Sequence, residues 1–188
     1  METAAVILAG GRSSRMGQDK AGLILEGTDF LTRLKARFQT EFGTVWVSGR
    51  EGLPDLRPGQ GPLAGLETAF VRTGAEQIFL TAVDLPFGDP ALARLLMDKL
   101  EEKDVCLIRR DNGKLEPLFA AYRRSCLPHI QACLDEGRKA VRALLDRLDC
   151  RLVEERELVG FDLERILFNV NTPADYCLAE KISNSSLQ

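Results

Sequence analysis

The sequence lacks the patterns that would place it in a membrane or outside the cell. It contains no apolar run near the roughly 20 residues that a transmembrane helix needs. Its first residues, Met1-Glu2-Thr3, lack the basic region and the cleavage site of a secretory signal. We therefore expect a soluble, cytoplasmic protein that does not bind membranes.

The chain also has little of the side-chain chemistry of metal centres and nucleophilic triads. Its five cysteines are scattered and none forms a Cys-x-x-Cys pair, so we expect reduced thiols. The single histidine, His129, lies four residues before Cys133, and one such pair cannot complete a tetrahedral metal site. We interpret the pair as a packing feature, and no Ser–His–Asp or Cys–His arrangement is supported.

A strong excess of one charge is absent as well. The net charge of −3 argues against an extended nucleic-acid-binding face, so no nucleic-acid partner is expected. What is present suits a globular core, because 45% of the 188 residues are hydrophobic and 28% are charged. The length is that of one ordinary domain, which we expect to be a monomer.

Apolar runs typical of buried strands alternate with segments of helical period in the first hundred residues. Strands are predicted at residues 4–8, 44–48 and 77–83. Helices are predicted after Thr28-Asp29, which suits an N-cap, and from Pro62 and Pro90, since proline favours the first helical turn. This order predicts a parallel sheet with helices on both faces.

The second half of the sequence is less regular. It contains strand candidates at residues 104–108, 150–154 and 166–170, an Asn-Gly turn at 112–113 that predicts a hairpin, and helices over 124–135, 138–148 and 173–179. We predict one α/β domain over residues 1–181, followed by a polar, frayed tail at 182–188.

Four polar loops follow predicted strands. They span residues 9–20, 48–61, 84–89 and 169–172. In a parallel open sheet, ligands bind beyond the carboxyl ends of the strands, where such loops gather. We therefore predict that the four loops face one crevice.

The first loop, "LAGGRSSRMGQDKAG", has the content of a phosphate-binding loop. Gly10 and Gly11 permit close approach of backbone N–H groups to an anion, and Arg15 and Lys20 add positive charge. The glycine spacing nevertheless fits neither the P-loop nor the dinucleotide fingerprint. A glycine-rich turn with solvated charges is the alternative.

Carboxylate and amide side chains mark two of the other loops. Asp84 ends a strand, where it is well placed to hold Mg²⁺, or alternatively to form a turn or cap a helix. Asn169 and Asn171 alternate along a predicted strand end and so point to the same side. Either amide could complete a metal shell or bind an acceptor phosphate, and Asn171 could instead cap the last helix.

The remaining loop ends in "GQGPLAG", which finishes at Gly65. Its glycines and proline suggest close approach of backbone to a ligand, followed by a helix N-terminus that favours anions. A rigid turn is the alternative. Ser48 and Asp55 lie upstream in the same loop and are candidates to contact a base or sugar. The later arginines and lysines are mostly solvated faces, although some could bind an anionic acceptor.

Six motifs now stand in order along the chain: "LAGGRSSRMGQDKAGL", "GPLAGL", "VDLP", "EPLFAAYRR", "EGRKAVRALL" and "NVNTPADY". Together they resemble the molybdenum cofactor guanylyltransferase family of nucleotidyltransferases. The resemblance implies a Rossmann-like, three-layer fold of the glycosyltransferase-A type. Residues 1–100 would form the nucleotide-binding half and residues 101–181 the acceptor-side half.

The resemblance also implies site residues. Leu8, Ala9 and Gly10 would lie against guanine and sugar, Lys20 and Asp55 would bind the nucleotide, and Asp84 would bind Mg²⁺ and GTP. Two positions depart from the family pattern, because Ser48 replaces a frequent Asn and Glu116 stands where an uncharged residue is common.

The implied reaction is GMP transfer from Mg²⁺-bound GTP to the terminal phosphate of molybdopterin, with Arg15, Lys20 and Asp84 as catalytic residues. A phosphate nucleophile needs no general base, which agrees with the lack of a placed histidine. Contacts with other cofactor-biosynthesis proteins and apo-molybdoenzymes are family-level expectations. The alternatives are cytidylyl transfer to molybdopterin, nucleotidyl transfer to a sugar phosphate, and a GTP-binding regulatory protein without transfer activity.

Overall fold

The structure, a computed structural model, describes residues 2–10, 19–49 and 53–184. Its strands are β1 (Thr3–Leu8), β2 (Ile24–Leu25), β3 (Thr28–Asp29), β4 (Val45–Ser48), β5 (Gln77–Ala82), β6 (Val105–Arg109), β7 (Leu115–Arg123) and β8 (Cys150–Glu154). Its α-helices are α1 (Phe30–Phe38), α2 (Pro62–Thr73), α3 (Pro90–Asp98), α4 (Leu127–Asp135), α5 (Val141–Leu145), α6 (Leu163–Ile166) and α7 (Pro173–Asn184). Short 3₁₀ turns lie at Lys20–Gly22, Arg124–Cys126 and Glu155–Glu157.

A six-stranded sheet in the order β4-β1-β5-β7-β6-β8 forms the centre of the protein. β1 pairs in parallel with β4 and β5, and β6 pairs in parallel with β8. β7 runs antiparallel to β6, as the predicted hairpin at 112–113 requires, and also antiparallel to β5. The sheet is therefore mostly parallel, which confirms the predicted fold class.

Alternate residues of the strands pack into two separate cores, one on each face of the sheet. In β1, Ala5 and Ile7 join the core formed with α1, α3, α6 and α7. Val6 and Leu8 join the opposite core, formed with α2, α4 and α5. Because side chains of a strand alternate between faces, this division is the direct result of burying both sides of the sheet. The three-layer arrangement is confirmed.

The first half follows the prediction closely, because its helices begin at strong local signals. The Asp29 carboxylate accepts from the Thr32 N–H at 2.8 Å and so caps α1. Asp89 does the same for α3, accepting from the N–H groups of Ala91 and Leu92 at 2.8 and 3.0 Å. Pro62 occupies the first turn of α2, as predicted.

Three boundaries in the second half were predicted wrongly. Residues 166–170 form no strand, because Ile166 ends the short helix α6 and a loop follows. The helix predicted over 138–148 is reduced to α5. α7 continues past Ala179 to Asn184, and its buried Ser183 hydroxyl donates to Glu26, so residues 182–184 are helix rather than a frayed tail.

No helix among the described residues combines the length and apolar character needed to span a membrane.

The thiols have very different environments. All five cysteines are free; Cys106, Cys126 and Cys133 are fully buried, whereas Cys177 is exposed. Burial raises the pKa of Cys106 to about 12, so that thiol stays protonated at neutral pH.

His129 is exposed, which corrects the expectation that it packs with Cys133. The described residues hold no cluster of three or more metal-ligating side chains of the His, Cys, Asp and Glu types.

We predict that a thiol reagent at neutral pH modifies Cys177 rapidly and the three buried cysteines only after unfolding. Thiolate is the reactive form, and burial removes both access and thiolate. Time-resolved labelling followed by peptide mass analysis, with a sample unfolded in urea as control, measures each site. Equal labelling rates at Cys106 and Cys177 in the folded protein would contradict the buried environment.

Candidate active site

The loops that follow β1, β4 and β5 start side by side at one edge of the sheet. The Ala9 N–H donates to the Ser48 carbonyl at 3.0 Å, and the Val83 N–H donates to the Leu8 carbonyl at 2.9 Å. These bonds continue the strand ladders by one residue beyond the ends of β1 and β5. The first three predicted loops therefore leave the sheet together.

Lys20 joins two parts of the sequence that lie far apart. Its ammonium group donates to Asp84 Oδ2 at 3.2 Å and to Asn171 Oδ1 at 2.6 Å. The Val170 N–H donates to the Asp84 carbonyl at 2.8 Å, which ties the fourth loop to the third. Three residues proposed from the sequence thus form one contact group, although that loop follows α6 rather than a strand.

Asp84 does not play the capping role that the sequence left open. Asp89 caps α3, and Asp84 directs Oδ2 to Lys20 instead. Asp84 Oδ1 is buried, and no hydrogen-bond donor reaches it from the described part of the chain. A buried carboxylate oxygen without a donor is costly unless a cation or another donor approaches it. An oxygen of this kind fits the hard-oxygen ligand set that Mg²⁺ prefers.

Asn171 is free to contact Lys20 because its neighbours cap the last helix. The Thr172 hydroxyl accepts from the Asp175 N–H at 3.2 Å. Asp175 Oδ2 in turn accepts from the N–H groups of Thr172 at 2.8 Å and Asn171 at 3.0 Å. This reciprocal arrangement is a capping box, so Asn171 itself is not the cap. Asn169 is exposed on the loop, and the shared strand face predicted for it and Asn171 does not exist.

The capping box gives a testable pH dependence. The Asn171 N–H and the other donors hold the pKa of Asp175 below its usual value. Its contribution to stability is therefore complete above its unfolded pKa near 3.9 and disappears as the pH falls through the lower folded pKa.

We expect Asp175→Ala to lower the free energy of unfolding by about 1 kcal/mol at pH 7, because α7 loses its cap. Urea unfolding of the variant and of the parent protein, repeated at several pH values, should give free energies of unfolding that converge as the pH falls below about 4. A gap of constant size across that range would contradict the assigned hydrogen bonds.

Ser48 and Asp55 form a second contact group beside the first loop. The buried Ser48 hydroxyl donates to Asp55 Oδ1 at 3.0 Å. Asp55 Oδ2 lies 3.6 Å from the point where a Cβ on Gly10 would sit. Asp55 is therefore held near the backbone of the glycine loop.

Glycines make the close approach of these segments possible. A Cβ on Gly49 would lie 2.5 Å from the Gly10 Cα and 2.7 Å from the Gly10 nitrogen, and Gly49 has a φ of +85°. A Cβ on Gly65 would lie 2.5 Å from Leu8 Cδ2 and 3.2 Å from Ser48 Oγ. Gly65 was predicted from the sequence as a site residue, whereas Gly49 was not; its signal was a glycine directly after a strand.

Gly11 and Arg15 lie outside the described residues. Of the later basic residues, Arg109, Arg110 and Arg124 form ion pairs with Glu154, Glu155 and Glu76. Glu116 is buried, and its Oε1 lies 2.8 Å from Lys114 Nζ. The charge that departs from the family pattern is therefore part of an ion pair.

Comparison with known families decides the relationship of this chain. The sequence profile of the MobA-like NTP transferase domain matches residues 5–152. The chain belongs to that family. The match covers β1 to within β8, and so it includes Lys20, Ser48, Asp55 and Asp84.

MobA-like relatives extend the similarity over the full chain. A protein of Pelotomaculum thermopropionicum named "Probable molybdenum cofactor guanylyltransferase" is 35% identical, covering 99% of this chain and 96% of its own. The molybdenum cofactor guanylyltransferase of Rhizobium meliloti is 34% identical, covering 94% and 89%. The crystal structure of molybdopterin-guanine dinucleotide biosynthesis protein A from Archaeoglobus fulgidus superposes with a TM-score of 0.86 at 26% identity, over 97% and 99% of the two chains.

Proposed function

We propose that this MobA-like chain transfers GMP from GTP to the terminal phosphate of molybdopterin and releases pyrophosphate. The product is the guanine dinucleotide form of the molybdenum cofactor. The observation that carries the proposal is the contact group of Lys20, Asp84 and Asn171 at the carboxyl edge of the sheet. It occurs in a chain related over its full length to proteins named molybdenum cofactor guanylyltransferase.

The proposed nucleotide site extends from β1 to Lys20. The backbone of Leu8, Ala9 and Gly10 would lie against guanine and ribose, next to Asp55. Gly11 would continue that backbone surface, and Arg15 and Lys20 would offset the negative charge of the triphosphate. The Ser48 hydroxyl donates to Asp55, so Ser48 would orient that carboxylate rather than act alone on the nucleotide.

Asp84 is the proposed ligand for Mg²⁺, with its buried Oδ1 available and Oδ2 shared with Lys20. Asn171, and Asn169 two residues earlier in the same loop, are the proposed amide ligands for the metal or for the acceptor phosphate. When bound, Mg²⁺ would neutralise charge on the phosphate oxygens. Lys20 lies between Asp84 and Asn171, and this position suits an ammonium group that moves onto phosphate oxygens when nucleotide enters.

The reaction needs positioning and charge neutralisation more than proton transfer. An oxygen of the acceptor phosphate forms a bond to the α-phosphorus of GTP, and the bond from that phosphorus to the bridging oxygen breaks in line. Pyrophosphate leaves with the electron pair. A phosphate monoester is largely dianionic at neutral pH because its second pKa is near 6, so it attacks without a general base.

Residues 1–100, which include β1, β4, β5 and Asp84, form the proposed nucleotide half, and residues 101–181 form the acceptor half. The proposed partners besides GTP and molybdopterin are other cofactor-biosynthesis proteins and apo-molybdoenzymes. The proposed setting is the cytoplasm, with the chain acting as a monomer.

Base preference distinguishes this proposal from its rivals. Calorimetric titration with the Mg²⁺ complexes of GTP, CTP, UTP and ATP should give the tightest binding with GTP. Tightest binding of CTP would favour cytidylyl transfer, and a preference for UTP or ATP would favour a sugar-phosphate nucleotidyltransferase. Binding of GTP without turnover in the presence of molybdopterin would favour a regulatory protein.

A further inference from the structure

The segment that carries Asp55 is fixed to the rest of the protein at several points. The Gly49 N–H donates to the Leu53 carbonyl at 3.0 Å, at the start of the segment. The Leu56 N–H donates to the Thr68 hydroxyl at 2.9 Å, which links the residue after Asp55 to α2. The position of Asp55 therefore depends on how the residues beside it are held against α2.

Arg57 lies two residues after Asp55 and makes two ion pairs from one guanidinium. Its Nε lies 3.1 Å from Glu67 Oε2 on α2, and its Nη1 donates to Asp135 Oδ1 at 2.6 Å at the end of α4. Arg57 and Glu67 are close enough to form an ion pair, but the Arg57 Nε–H is not aligned with Glu67 Oε2 well enough to donate a hydrogen bond. Arg57 therefore ties the Asp55 segment to two helices at once.

Glu67 is an unusual residue for its place in the fold. Only 3% of its surface is exposed, in the middle of an otherwise apolar stretch of α2 that packs against β1 and β4. A buried carboxylate costs free energy unless a positive charge is near. Among the described residues, Arg57 is the basic side chain that forms an ion pair with Glu67. Two residues earlier on the same helix, the Gly65 carbonyl lies 3.4 Å from the hydroxyl of Ser48, which is the hydrogen-bond partner of Asp55.

We propose that the ion pair between Arg57 and Glu67 positions Asp55 for nucleotide binding. Arg57 and Glu67 are positioning residues that act through Asp55, and the inference rests on the proposed nucleotide site. Ser48 holds the Asp55 carboxylate, while Arg57, two residues later in the chain, ties the segment to α2 and α4.

A double-mutant cycle on GTP affinity tests the proposal. Arg57→Gln is expected to weaken Mg²⁺-GTP binding about tenfold in the parent protein and to have almost no further effect in an Asp55→Asn background. Affinity for inorganic tripolyphosphate, measured by the same calorimetry, should change less than about twofold, because within the described structure Lys20 donates hydrogen bonds to Asp84 and Asn171, outside the Arg57 segment. Arg57→Lys should recover part of the affinity, since it keeps the charge but loses the fork that reaches both carboxylates.

The control is Arg94→Gln, which removes the ion pair with Asp98 on α3, on the opposite face of the sheet from α2. It should leave GTP affinity unchanged. If Arg57→Gln does not fold, the double variant Arg57→Gln with Glu67→Gln removes the buried charge and should still bind GTP about tenfold more weakly.

Equal weakening by Arg57→Gln with and without Asp55, or a parallel loss of tripolyphosphate affinity, would overturn the proposal. So would an Asp55→Asn variant with unchanged GTP affinity, even if guanylyl transfer itself is observed. Failure of the parent protein to prefer GTP would instead count against the proposed function.

Discussion

Replacing Asp84 by Asn is expected to lower the rate of guanylyl transfer roughly 10³-fold, equivalent to about 4 kcal/mol of transition-state stabilisation. The substitution keeps the size of the side chain but removes the charge of the carboxylate, whose buried Oδ1 has no donor within the described structure. It also removes the ion pair with Lys20. Steady-state rates with GTP, molybdopterin and Mg²⁺, together with the thermal midpoint, measure the two effects separately.

Asp89→Asn is the matched control for that substitution. Asp89 lies five residues later and caps α3, a task that Asn performs about as well as Asp. We expect near-normal transfer from this variant. An Asp84→Asn variant as active as Asp89→Asn would remove Asp84 from the site.

Gly49→Ala is expected to lower the free energy of unfolding by roughly 2–4 kcal/mol and to abolish tight GTP binding. The new Cβ would meet backbone atoms of Gly10 at 2.5 and 2.7 Å, and backbone cannot move aside as a flexible side chain can. The residue would also have to keep a φ of +85°, which is unfavourable for alanine. Urea unfolding and GTP titration measure the two losses.

Gly74→Ala separates the effect of the contact from the effect of the backbone angle. Gly74 has a φ of +71° at the end of α2, but a Cβ there would meet nothing within 4 Å. We expect it to cost only about 1 kcal/mol and to leave GTP affinity unchanged. Similar losses from both substitutions would show that the approach of Gly10 to Gly49 has no special importance.

Local signals predicted most strands and helices of residues 1–100, although not the short strands β2 and β3. β1 and β5 are short apolar runs. The helix α1 follows its N-cap Asp29, and α2 and α3 begin at Pro62 and Pro90, so a cap or a proline is visible in the sequence at each start. From parallel strands it followed that the loops after them would meet. The meeting of Lys20 with Asp84 across 64 residues is the result.

Residues 166–170 show where such signals fail. The run "ILFNV" looks like a buried strand, since periodicity cannot separate a short apolar strand from a buried turn. In the structure Asp162 caps α6 just before it, and the Val170 N–H donates to the Asp84 carbonyl instead of to a strand. The contact of Asn171 with Lys20 depends on that tertiary bond, so its partner was not predictable from spacing.

The sequence also did not predict the close backbone contact of two glycines or the pairing of an isolated buried charge, for a related reason. Gly49 looks like an ordinary residue at the end of a strand until Gly10 is seen beside it. Glu67 was visible as a single charge in the apolar stretch "PLAGLETAF", which is a signal for a buried ion pair, but its partner Arg57 lies in a loop without periodicity. Distances between such segments come only from the packed fold.

The most direct test of the central claim is pyrophosphate release from each of the four nucleoside triphosphates in the presence of molybdopterin and Mg²⁺. We expect release from GTP that depends on molybdopterin, together with one GMP transferred for each pyrophosphate. Release that is fastest with CTP, or GTP binding without any pyrophosphate, would contradict it.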